Sequence, residues 1–125
     1  MRRPLALAAA VLLALVAAAC SEGSGELGAV LREVKAGRAV LVDVRSPGEW
    51  SAGHLAEARL IPTTAIASGK ADLSALPKDR PVYLHCSVGG RARFAASVLR
   101  QKGFDARPLD ASPRQLVEAG FRPAR

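Results

Sequence analysis

Cys86 is one of two cysteines in the 125-residue sequence, and its surroundings suit a nucleophile. It follows an apolar run of strand length, Pro81-Val82-Tyr83-Leu84-His85. After it come Ser87-Val88-Gly89-Gly90-Arg91 and then helical periodicity. A cysteine so placed stands at the carboxyl end of a strand, the side of an open α/β sheet where ligands bind. Gly89 and Gly90 admit backbone conformations that other residues resist. The amides of Ser87, Val88, Gly89, Gly90 and Arg91 can therefore turn inward as an anion cradle. The helix that starts there adds its partial positive end, and Arg91 closes the loop with a permanently charged fork. Such surroundings lower a thiol's pKa from about 8.5 toward neutrality. The expected chemistry is attack by a Cys86 thiolate on an electrophilic atom carried by an anion, with a covalent intermediate on sulfur. The plainer alternative is an inert cysteine buried at a strand end.

Asp43 lies in a second apolar run, Ala39-Val40-Leu41-Val42-Asp43-Val44. A buried carboxylate needs partners, and Arg45 or loop amides can supply them. Asp43 and Arg45 are read as supports that position the Cys86 loop. Glu49 is read as a cap or a partner of Arg45, with no catalytic role. His54, in Gly53-His54, could act as a base for Cys86 but better suits a turn-fixing imidazole. Strand alternation turns the side chain of His85 away from that of Cys86. Trp50 is assigned to the core, and Arg93 either thickens the positive field near Arg91 or faces solvent.

These residues need a scaffold, and its elements are readable. Leu27, Val30, Leu31 and Val34 keep the i, i+3, i+4, i+7 spacing of an amphipathic helix over 26–36, stopped by Gly37. A buried parallel strand over 39–44 follows. Ser46-Pro47 supplies an N-cap and a first helical residue, and Gly53-His54 ends that short helix. Leu60-Ile61 is a minimal strand, and 62–80 is mixed, with one turn of helix at 73–76. After the strand at 81–85, Ala92, Ala95, Ala96 and Leu99 mark a helix to about Lys102, with Gly103 as its stop. A strand at 105–109 and a helix at 114–119, opened by Ser112-Pro113, complete the chain. The alternation predicts an α/β fold around a mostly parallel sheet, in one domain. A second domain, a coiled coil, a collagen repeat and a disulfide-stapled miniprotein are excluded.

Two segments carry a family resemblance. The first is Leu41-Val42-Asp43-Val44-Arg45-Ser46-Pro47-Gly48-Glu49-Trp50, with Gly53-His54-Leu55, Ala58 and Ile61-Pro62 after it; the second is Cys86-x-x-Gly-x-Arg91. Together, and in this order, they resemble the rhodanese family of sulfurtransferases over about residues 26–120. The resemblance implies a small, mostly parallel sheet of about four to five strands with helices on both faces. It implies that Cys86 takes a sulfane sulfur from a small anionic donor such as thiosulfate and holds it as a persulfide. The amides of residues 87–91 would stabilise the terminal sulfur, and cyanide or a thiol would accept it. No metal and no organic cofactor are implied. One alternative is a non-catalytic sulfide- or redox-binding or sulfur-relay module on the same fold. Another is a cysteine-dependent phosphatase or arsenate reductase, but the loop is one residue shorter than in related dual-specificity phosphatase folds, which leaves less room for phosphate. Several features depart from the family. Val88 stands where Ser or Thr is common, and Arg91 is the loop's one basic residue. Residues 21–26, where the usual first strand would lie, hold no apolar run, and Asp110-Ala111-Ser112-Pro113 replaces the usual Gly-Gly.

The amino terminus reads as an export signal: Arg2 and Arg3, an apolar stretch over 5–16, then Ala17-Ala18-Ala19 before Cys20. It resembles a bacterial lipoprotein signal, which implies cleavage after residue 19 and lipidation of Cys20. Residues 20–25, rich in Gly and Ser, would then tether a domain over 26–125. The expected location is the cell envelope, on the periplasmic side of the outer membrane in a cell with two membranes. Cys86 is then a lone thiol outside the cytosol. The formal charge is +7, from 18 basic and 11 acidic side chains. The positive charges are scattered, and Phe94 is the one aromatic within a basic stretch. A nucleic-acid partner is therefore not expected.

Overall fold

The computed structural model describes residues 22–124. The stretch read as an export signal, and Cys20 with it, lie outside the described residues. Helix α1 (Glu22–Lys35) leads into β1 (Val40–Asp43), α2 (Pro47–Ala52), β2 (Ala58–Leu60) and α3 (Thr63–Ala67). Then follow β3 (Val82–His85), α4 (Gly90–Gln101), β4 (Ala106–Pro108) and α5 (Pro113–Glu118). The four strands form one all-parallel sheet in the order β2-β1-β3-β4. This is the α/β sheet that the alternation of patterns predicts. All four strands run the same way, so the loops after β1, β3 and β4 open onto one rim.

Alternation along the two central strands divides the core. Val42, Val44, Val82, Leu84 and Cys86 face α3 and α4, where they meet Ile66, Ala92, Ala95, Ala96 and Leu99. Leu41 and Tyr83 face the other way, toward Val30 and Leu31 of α1, Leu116 of α5, and Leu55 and Phe121. Burying each Val or Leu side chain contributes about 1.5–3 kcal/mol. The alanines of α4 have a further effect. Small side chains let the helix axis approach the sheet closely, which brings its first turn up against the end of β3.

Two helices begin with the same device. Ser46 and Ser112 are N-caps followed by Pro at the first helical position. Each accepts a hydrogen bond from the backbone of the third helical residue, Glu49 or Gln115, whose side chain accepts one in return from the cap's own amide. Such capping boxes satisfy two otherwise free N–H groups.

Three elements depart from the sequence reading. Helix α1 starts at Glu22, inside the stretch read as a tether, because a helix already nucleated by its amphipathic part extends at little cost. Helix α3 lies in the stretch read as mixed. Its N-cap is Pro62, which offers no side-chain cap, and it buries one residue, Ile66, so it leaves little periodic trace. The expected helical turn at 73–76 is a single turn closed by Leu76 N–H to the Leu73 carbonyl, 3.1 Å.

Candidate active site

Cys86 continues the alternation of β3 onto the α3/α4 face, is fully buried, and is a free thiol. The chain turns sharply after it. Gly89 takes φ +90°, a left-handed conformation that only glycine enters without strain, and serves as N-cap of α4. That turn aims the Gly89 N–H at the Cys86 sulfur, with N···Sγ 3.0 Å. Among the described residues, the amides of Ser87, Val88, Gly90 and Arg91 have no hydrogen-bond partner. Of the expected cradle, then, one amide is engaged with the sulfur and the others are unpaired at the start of α4. Val88 sits at the loop tip with 81% of its surface exposed.

Arg91 does not stand free. Its Nη1 donates to Glu49 Oε1 at 2.6 Å and its Nη2 to Glu49 Oε2 at 3.1 Å, while Nη2 also reaches Ser87 Oγ at 3.3 Å. The Ser87 hydroxyl donates in turn to Glu49 Oε2 at 3.2 Å. Glu49 is held from behind by the Ser46 amide and hydroxyl. The Arg91 guanidinium, followed by the Ser46 amide, holds the Glu49 carboxyl far below the usual carboxylate range. The same bond raises Arg91, with the nearby Cys86 and Asp43 acting in the same direction. Glu49 was expected to cap its helix or pair with Arg45; it does cap, but its ion-pair partner is Arg91. This contact joins residues 42 positions apart, and only the β1–β3 pairing brings them together.

Asp43 and Arg45 form the expected buried pair. Arg45 Nε and Nη2 donate to the Asp43 carboxylate at 3.0 and 2.8 Å, and the Arg45 amide adds a bond at 2.9 Å. Arg45 Nη2 also donates to the Gly53 carbonyl at 2.8 Å. The pair lies on the α1/α5 side of the sheet, away from the sulfur. Beside it is His85, level with Asp43 in the strand register. Its Nε2 is 3.8 Å from Asp43 Oδ2, and neither ring nitrogen has a hydrogen-bond partner. Burial pushes the imidazole below its ordinary pKa, against the pull of Asp43.

His54 fixes a turn, as expected: its Nδ1 is 2.9 Å from the Trp50 carbonyl, and its ring stacks on Trp50 with centroids 3.6 Å apart. Trp50 is only half-buried, so its assignment to the core is corrected; α2 lies at the rim and buries none of its residues. Arg93 is exposed and stands 3.7 Å from Asp110. Asp110 in turn borders a cleft of about 490 Å³ between α1 and α5. Among the described residues, no cluster of three or more His, Cys, Asp or Glu side chains could hold a metal.

Comparison with known proteins agrees with this geometry. Residues 26–115 match the family described as rhodanese-like domain. A 64-residue stretch, 51% of the chain, is 42% identical to "Probable adenylyltransferase/sulfurtransferase MoeZ" of Mycobacterium tuberculosis. A 65-residue stretch, 52% of the chain, is 35% identical to a protein named sulfurtransferase from Allochromatium vinosum. These matches span 16% and 58% of the two relatives' own lengths. Among solved structures, the human single-domain sulfurtransferase TSTD1 superposes with a TM-score of 0.62 at 28% identity, over 72% of this chain and 90% of that one. The parallel sheet, the cysteine at the end of β3 with its glycine turn into α4, and the match over most of the described residues lead to one assignment: the chain belongs to the rhodanese-like domain family.

Proposed function

We propose that the protein is a sulfurtransferase that carries a sulfane sulfur on Cys86. The observation that carries this reading is the Gly89 N–H donating to Cys86 Sγ at 3.0 Å from the first turn of α4. A donor aimed at sulfur supports negative charge there, first on the attacking thiolate and then on a persulfide. The unpaired amides of the loop would receive the extra sulfur. With thiosulfate as donor, the Cys86 thiolate attacks the outer sulfur. A new S–S bond forms, the donor's S–S bond breaks, and sulfite leaves with the electron pair. A thiolate or cyanide then attacks the terminal sulfur, and the Cys86 thiolate is regenerated. The step needs neither metal nor organic cofactor. The sulfurtransferase names of the relatives support the same chemistry.

The site residues in this reading are Cys86 as nucleophile, residues 87–91 as anion cradle, and Asp43 with Arg45 as the support beneath. The pattern of residues 1–20 further supports export and lipid attachment at Cys20 in the cell envelope. Labelling with a radioactive fatty acid in cells, lost in Cys20→Ala, tests that part.

The chemistry is tested with the full chain in detergent. Exposure to a sulfur donor should add the mass of one sulfur atom to Cys86, and a thiol or cyanide should remove it with turnover. Cys86→Ser should abolish both. One added sulfur without turnover would favour a relay module on the same fold.

A further inference from the structure

Carboxylates are scarce in this chain, 11 against 18 basic side chains, for a formal charge of +7. Three of them nevertheless border one cleft. Glu26 of α1, Asp110 after β4 and Glu118 of α5 line the cavity of about 490 Å³, and no basic side chain lines it. The rest of the lining is mainly apolar, with Leu27, Leu109, Ala111 and Ala119. Its size is that of a ligand pocket, roughly 300–1,000 Å³. Among the described residues, no three His, Cys, Asp or Glu side chains could together hold a metal ion. The carboxylates therefore suit separate positive charges, one for each element that supplies them. Two have a cation nearby: Arg93 is 3.7 Å from Asp110, and Arg114 is 3.4 Å from Glu118. Neither arginine lines the cleft. Both pairs are exposed, and such pairs contribute about 0–1 kcal/mol, so a bound cation can replace them.

We propose that this cleft docks a lysine- or arginine-rich segment of a partner protein. Long basic side chains match both parts of the lining: their methylene stems cover apolar surface while the charged ends reach the carboxylates. Gln115, also on the cleft, suits a peptide backbone. Its Oε1 accepts from the Ser112 amide at 2.8 Å, which leaves its Nε2 to donate to a carbonyl. A peptide has carbonyls and a polyamine has none. The net charge of the protein repels a cationic partner at long range. Attraction must therefore come from carboxylates within a Debye length, about 10 Å at 0.1 M salt. Asp110 also ties the cleft to the Cys86 loop, since its Oδ1 lies 2.7 Å from where a Cβ on Gly89 would stand. A segment seated on Asp110 is thus set beside the turn into α4. Such docking holds with or without the sulfur chemistry proposed above.

The probe is an end-capped, fluorescently labelled tetralysine, titrated against the full chain in non-ionic detergent and read by anisotropy. It should bind saturably at low salt and be released by about 0.5 M salt. Glu26→Gln combined with Glu118→Gln should weaken binding about fivefold or more. Both side chains are exposed, so the fold is kept. Asp72→Asn combined with Asp79→Asn removes as many charges from residues that do not line the cleft, and should change binding less than about twofold. Tetralysine acetylated on every side chain should not bind. In the ¹⁵N-labelled chain, tetralysine should shift the amides of Leu27, Leu109, Asp110 and Ala119, and that of Gly89 beside them. An equal loss in the two double variants, binding of the acetylated peptide, or amide shifts confined to other surfaces would each overturn the docking site. Spermine, with the same number of charges, should bind more weakly than tetralysine. Equal affinity would overturn the assignment to a protein segment in favour of a small polycation.

Discussion

The amide of Gly89 donates to the sulfur of Cys86 across 3.0 Å, and it can do so because Gly89 holds φ at +90°. A Cβ at this position would lie 2.7 Å from Asp110 Oδ1 and 2.8 Å from Arg93 Nη1. Both are ends of exposed, flexible side chains and can move aside. The backbone cannot: an L-residue in this region is strained by about 1–2 kcal/mol.

Gly89→Ala should therefore relax the turn and carry the N–H away from the sulfur. The expected outcome is a modest fall in the urea midpoint together with a loss of about tenfold to a hundredfold in the rate of Cys86 persulfidation. Stopped-flow or quenched mass measurements decide it; a wild-type rate in the alanine variant would remove the Gly89 amide from the proposed chemistry.

Asp43→Ala leaves the Arg45 guanidinium buried without its counter-charge. Truncating one partner of such a pair destabilises by about 3–5 kcal/mol, which urea unfolding can read. Replacing both residues by apolar ones, Asp43→Leu with Arg45→Met, should recover part of that loss, because no unpaired charge remains. A double variant as unstable as Asp43→Ala would show that the cost lies in packing and not in charge.

His85 predicts a pH dependence of stability. Its pKa is lowered in the folded protein from the ordinary 6.5, chiefly by burial. Below pH 6.5 the unfolded chain takes up a proton that folded His85 resists, so stability is full above 6.5 and declines as pH falls toward the lowered folded value. The groups facing it are Asp43 and Arg45. The lowered carboxyls of Glu33, Glu49, Asp72 and Asp105 contribute in a separate window, below their ordinary values of 4.5 or 3.8. The urea midpoint should thus fall as the pH drops below 6.5, and His85→Leu should flatten that slope without loss of stability at pH 7.5, since it removes two unsatisfied ring nitrogens. A slope unchanged in His85→Leu would assign the proton uptake elsewhere.

Local signals carried much of this. The apolar runs gave β1 and β3, Ser-Pro gave the starts of α2 and α5, and the glycines after Cys86 gave the turn into α4, because each is decided within a few residues. Strand alternation placed His85 and Cys86 on opposite faces. What escaped depends on distance in the chain. Glu49 and Arg91 meet only because β1 and β3 are neighbours, and the sole hint was that a partly buried arginine needs a counter-charge near the end of an adjacent strand. Trp50 was misassigned because a large ring suggests the interior, whereas here it covers the His54 ring at the rim. Helix α3 escaped because Pro62 and a single buried isoleucine imitate a loop.

Residues 122–124 have a reach beyond their own surroundings. Arg122 and Ala124 bond to Ala56 and His54, and Pro123 bridges to Leu55. The loop they clasp begins at Gly53, whose carbonyl receives Arg45. Disrupting these contacts would therefore slacken the floor under the Asp43 carboxylate, so heat resistance should fall although no residue of the Cys86 loop is touched.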